Sequence, residues 1–160
     1  MTKDSQPFDL IEIAGDRAAT KALGARIAAG LERGDCVLLE GDLGAGKTTL
    51  ARGILQALGV QEHVASPTFT MVWSYETPKM LVSHYDLYRV QDSSEIDELG
   101  IDDALEAGAA LIEWPGRAGN RLPPDALHVA IEIRSEGMRL MTIHGSGKWR
   151  QVLLADHDVA

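Results

Sequence analysis

A short apolar-rich run at residues 9–13, Asp-Leu-Ile-Glu-Ile, predicts a strand near the start of the chain. From Asp16 the period lengthens: Ala18, Ala19, Ala22, Leu23, Ile27, Ala28 and Leu31 recur at helical spacing, with Asp16 as the cap and Gly34 as the stop. The unbroken apolar run 36–39 predicts a second strand, and residues 49–58 a second helix stopped at Gly59. Ser66-Pro67-Thr68 then introduces an extended run over 69–75, which includes Phe69, and Pro78 separates it from another over 80–86, so the two read as a hairpin. Residues 93–99 open with a pattern close to a capping box and predict a helix, followed by a shorter one over 102–106. Residues 109–113 form a buried strand that ends in a carboxylate. Alternating segments at 127–133 and 139–143 flank Ser135-Glu136-Gly137 and predict a second hairpin, with a last helix over 148–156. Strands that alternate with helices, interrupted by hairpins, call for an α/β fold with a mixed central sheet.

Between the second strand and second helix lies Gly41-Asp42-Leu43-Gly44-Ala45-Gly46-Lys47-Thr48, a full match to GxxxxGK[ST] in the order strand, glycine loop, helix. The glycines let backbone N–H groups approach an anion, Lys47 adds a charge for β- and γ-phosphates, and the Thr48 hydroxyl can ligate Mg²⁺. Thr49 continues into the helix, whose positive end faces the phosphates. The chain is expected to bind a nucleoside triphosphate, on a three-layer sandwich like that of P-loop NTPases.

With 160 residues, 45% hydrophobic and 24% charged, residues 1–160 read as a single domain without repeats or low-complexity linkers. A formal charge of −9 argues against a broad nucleic-acid surface. Arg117 and Arg121 are too small a cluster to change that. One cysteine, Cys36, excludes a disulfide framework within the chain and reads as a buried thiol. Residues 1–7 lack the apolar core of a secretory signal, and no apolar stretch reaches the ~20 residues of a membrane helix, so a cytosolic protein is expected.

A triphosphate site also needs an acidic partner for the metal, and Mg²⁺ uses one or two carboxylates. Glu113 ends an unbroken apolar strand cut off by Trp114-Pro115, the edge at which ligands bind to parallel sheets. Asp86 ends a strand interrupted by Ser83 and His84, and its pattern suits a turn aspartate as well as a metal or water ligand. Thr68 can offer a hydroxyl to metal or γ-phosphate, or simply start a strand. Trp114 fits a base, a partner or the core. His84 reads as a satisfied structural histidine rather than a ligand, and the other four histidines have no metal-ligand spacing.

The only asparagine, Asn120, is followed by Arg121, so the Asn-Lys-x-Asp loop of common GTPases is missing. Asp97-Glu98-Leu99-Gly100 matches DxxG only loosely and within a predicted helix. No arginine-dense lid of the small-molecule kinase type is visible. Adenine nucleotide is the default.

Taken jointly, the phosphate loop through Thr49, Ser66-Pro67-Thr68, His84-Tyr85-Asp86-Leu87-Tyr88-Arg89 and Glu113-Trp114-Pro115 resemble the TsaE family, small bacterial ATPases of tRNA threonylcarbamoyladenosine biosynthesis. The resemblance runs from about Thr20 to the C-terminal hairpin. It implies binding and hydrolysis of ATP with Mg²⁺, in the service of a TsaB–TsaD complex. That complex transfers threonylcarbamoyl onto adenosine 37 of tRNAs reading codons that start with A, and hydrolysis resets it between turnovers, so tRNA is met indirectly, through the complex. By similarity Lys47 and Thr48 hold phosphates and Mg²⁺, Glu113 serves the metal, and Asp86 holds a metal-bound water or polarises the attacking one. Thr20 matches a family threonine close to the nucleotide, and Arg139 is the nearest match to a late arginine of the hairpin. Two rival readings stay open: an assembly switch whose hydrolysis is incidental, and a small-molecule phosphotransferase.

Overall fold

A computed structural model describes residues 6–62, 64, 67, 70–135 and 137–154. Ser66, Thr68 and Phe69 therefore lie outside the described residues, as do 155 and 156 of the last predicted helix.

Seven strands of the described residues form one sheet: β1 (Phe8–Ala14), β2 (Cys36–Glu40), β3 (Val72–Glu76), β4 (Leu81–Asp86), β5 (Gly108–Glu113), β6 (Leu127–Ser135) and β7 (Met138–Gly145). Their spatial order is β1-β7-β6-β2-β5-β4-β3. The centre is parallel, with β2 between β6 and β5, and β5 beside β4. Antiparallel pairs flank it, β3 on β4 at one end and β6, β7 and β1 at the other. The mixed sheet is the one expected, and both hairpins form.

Among the described residues four α-helices accompany it: α1 (Arg17–Gly30), α2 (Lys47–Ala57), α3 (Ile101–Ala107) and α4 (Lys148–Leu154). β2 and β5 are apolar on both faces up to their C-terminal carboxylates, as parallel strands covered on both sides are. Val37, Leu39, Ala109 and Leu111 pack with α1, α2 and α4 into one core; Cys36, Leu38, Ala110 and Ile112 pack with α3 and its neighbours into the other. Burial pushes the Cys36 thiol up to about 12, aided by the negative charges of Asp125 and Asp35.

Two boundaries depart from the sequence reading. The first helix ends at Gly30, not Gly34. Leu31 turns extended to plug a fully buried site, and a Cβ on Gly30 would stand 2.7 Å from Val152, so the last turn is shaped by α4. Residues 93–98 form the expected helix, of the 3-10 type, but Asp92, one residue earlier than expected, caps it by accepting from the Ser94 N–H.

Candidate functional site

The phosphate loop spans the gap between β2 and α2. Gly44 and Gly46 hold φ of +79° and +117°, values that a side chain would strain. The N-cap residue of α2 is Gly46, which has no side chain to cap it, and this leaves the first N–H groups of the helix open to an anion. Within the loop, Asp42, Leu43 and Gly44 are exposed, while Ala45 is buried.

Lys47 is buried, and its ammonium donates to the carbonyls of Gly41 at 2.6 Å and Asp42 at 2.9 Å. It also lies 4.3 Å from the centre of the Trp114 ring. Burial lowers its pKa from the ordinary 10.5, against the opposing pull of Glu113, Asp86 and Asp42.

Strand register sets the two carboxylates side by side, Asp86 opposite Glu113 at the C-terminal ends of β4 and β5. Both are buried. The Thr48 hydroxyl reaches across from α2 and lies 3.2 and 3.1 Å from the two Glu113 oxygens. From beneath, His84 Nε2 stands 2.6 Å from Glu113 Oε2. Asp86 Oδ1 accepts from the Tyr88 N–H at 3.0 Å. Two non-glycine residues with positive φ border these acids: Trp114, φ +58°, directly follows Glu113, and Met71, φ +67°, accepts from the Asp86 N–H. Such backbone strain gathers where a site is held in place by its surroundings.

A cleft of about 330 Å³ joins Lys47, Thr48, Asp86, Glu113 and Trp114. A second, about 420 Å³, continues past Gly44 and Gly46 to Thr20 and Arg139, with Thr49 lining both. Arg139 donates to the Ala45 carbonyl at 2.7 Å and to that of Gly44 at 3.4 Å, bracing the loop from β7. Thr20 is buried, with its hydroxyl 3.5 Å from the Asp16 carbonyl. Trp114 is half-buried and meets the Tyr88 ring at 4.9 Å.

Arg17 and Arg52, absent from the sequence reading, also line the first cleft. Arg52 Nε is spent on the Val64 carbonyl at 2.9 Å. Arg17 lies at the first position of α1, and its side chain makes no hydrogen bond or ion pair among the described residues. Its signal was available: Arg17, Thr20 and Gly24 share one helix face by their three- and four-residue spacing.

The oxygen donors suit a hard cation. Thr48 hydroxyl and Glu113 carboxylate already touch, and Asp86 stands beside them, the sparse set that Mg²⁺ takes when phosphates supply the rest. Consistently, no group of three or more His, Cys, Asp or Glu among the described residues is arranged as an all-protein cage.

The family model for the threonylcarbamoyl adenosine biosynthesis protein TsaE matches residues 14–141. The chain belongs to the TsaE family. The TsaE of Rickettsia felis is 39% identical over 132 residues, covering 82% of this chain and 77% of that protein. The TsaE of Bacillus subtilis is 37% identical over 143 residues, 87% of this chain and 89% of that one. The crystal structure of Bacillus subtilis YdiB superposes with a TM-score of 0.79 at 30% identity, covering 96% of this chain and 98% of the other. Membership ties the chain to tRNA threonylcarbamoyladenosine biosynthesis. No helix among the described residues is long and apolar enough to cross a membrane.

Proposed function

We propose that this TsaE-family chain binds and hydrolyses ATP with Mg²⁺, and that hydrolysis resets a TsaB–TsaD complex between rounds of threonylcarbamoyl transfer to adenosine 37 of tRNAs reading codons that begin with A. The observation that carries hydrolysis is the Thr48–Glu113 contact beside Lys47 at the open end of α2. A phosphate grip, a hydroxyl and a buried carboxylate converge there, as phosphoryl transfer requires.

In this reading the loop amides from Asp42 to Thr49 enclose the phosphates, and Lys47 exchanges its carbonyl partners for β- and γ-oxygens. Bound with the triphosphate, Mg²⁺ would neutralise negative charge on the phosphates. Thr48 and Glu113 would hold the ion, and Asp86 would take a hydrogen bond from a water beside it or from the attacking water. That water attacks the γ-phosphorus in line, and the bond to the bridging oxygen of ADP breaks. Thr20 and Arg139 flank the far end of the nucleotide, and Trp114 covers the near one. The complex and its tRNA lie outside this chain, in a cytosolic setting.

Phosphate release by the purified protein, with and without a purified TsaB–TsaD pair, tests the proposal. Slow release alone and faster release with the pair are expected. No release under either condition overturns hydrolysis, and an unchanged rate overturns the partnership. The switch reading gains instead if Glu113→Ala binds ATP, fails to hydrolyse it and still supports many rounds of tRNA modification.

A further inference from the structure

His84 lies mid-strand on β4, between Val82 and Asp86, and is fully buried. Its register partner on β5 is Leu111, part of the core beneath α2. An apolar side chain is the economical occupant of such a position, because a buried polar group costs stability unless its partners are complete. They are not complete: Nδ1 has no hydrogen-bond partner among the described residues. Among the described residues the imidazole therefore makes a single polar contact, Nε2 to Glu113 Oε2 at 2.6 Å. A carboxylate only accepts, so the hydrogen of that contact sits on Nε2.

From this geometry we infer that His84 is a positioning residue for Glu113, fixing the carboxylate that would serve the metal. The inference rests on the nucleotide and metal reading above and deepens it. Glu113 is held from two sides, by His84 from the core and by the Thr48 hydroxyl from α2. Two donors from separate elements leave the carboxylate little rotational freedom, so it meets a cation without first being ordered. Hydrogen bonds behind a metal-binding side chain tune affinity for the metal about 10–100-fold. A satisfied structural histidine, as the sequence suggested, would show both ring nitrogens paired and no link to the site.

Two substitutions separate positioning from packing. His84→Phe keeps the ring and deletes the donor, whereas His84→Gln sets an amide N–H near the place of Nε2. Mn²⁺ uptake by the protein with ADP, followed by the loss of the free-ion EPR signal, reads metal affinity directly. ADP affinity in EDTA reads the phosphate grip alone. His84→Phe is expected to weaken Mn²⁺ uptake about 10–100-fold while leaving ADP affinity in EDTA near wild type, and His84→Gln to restore most of the loss. If the Phe variant does not fold, His84→Asn, whose shorter amide falls back from Glu113, takes its place with the same expectation. Undiminished Mn²⁺ uptake in the donor-less variant overturns the assignment, as does a Gln variant as weak as Phe. A wild type that binds no ADP at all sinks the nucleotide reading and the inference with it; normal wild-type binding confines any failure to His84.

Discussion

Lys47 is kept inside the protein as a cation for which burial is unfavourable. Between its lowered folded pKa and the ordinary 10.5, the unfolded chain binds a proton that the folded chain does not, so this group's contribution to stability rises with pH. Lys47→Met should lose about 10–100-fold in nucleotide affinity, the worth of ~1.5–3 kcal/mol in charge-assisted hydrogen bonds. Its thermal midpoint should not fall at neutral pH, and the wild type should gain on it as pH climbs through that window in a series of urea titrations. Arg17 differs, being exposed at the mouth of the cleft. Arg17→Ala should lower basal phosphate release by less than about tenfold, against the ~10³–10⁵ that an arginine finger supplies. A larger drop would make Arg17 that finger. Legibility at this scale follows contiguity. The phosphate loop is readable because its parts are contiguous in sequence, and Glu113 because an apolar strand ending in a carboxylate is itself a local pattern. The contact of His84 with Glu113 is not readable, because the two lie 29 positions apart, across a strand pairing that no local pattern specifies.

Elements meet here through missing side chains. α1 and α2 cross backbone to backbone: a Cβ on Gly24 would stand 2.8 Å from the Ile54 nitrogen, and one on Gly53 2.8 Å from the Lys21 Cα. This crossing brings Thr20 alongside the phosphate loop. Gly53→Ala should cost about 1–3 kcal/mol in chemical denaturation and weaken nucleotide binding as well, since the helices must part. Gly108→Ala should be worse. Gly108 has φ −177°, extended backbone open to any residue, but its Cβ would stand 1.7 Å from the Leu81 carbonyl oxygen and force β4 from β5. Neither role was readable in advance, because a glycine inside a helical or strand pattern looks like a weak spot until its neighbour is known. The same holds for the end of α1, which turns on contact with α4 rather than on Gly34.

Across the whole molecule, a charge of −9 leaves little electrostatic attraction for a polyanion. Fluorescence anisotropy with labelled tRNA should find no tight, salt-sensitive binding by this chain alone. The sheet's layout also implies an order of assembly. Each hairpin joins strands adjacent in sequence, whereas the parallel centre joins β2 to β5 and β6 across long stretches of chain. Local pairs close at small entropic cost and distant ones at a larger cost, so the centre is completed late. Glu113 and the phosphate loop meet only at that late seam. On the proposed nucleotide reading a half-made chain has nowhere to hold its ligand, and nucleotide at a hundredfold excess over Kd should reward the finished molecule alone, by about 2.7 kcal/mol.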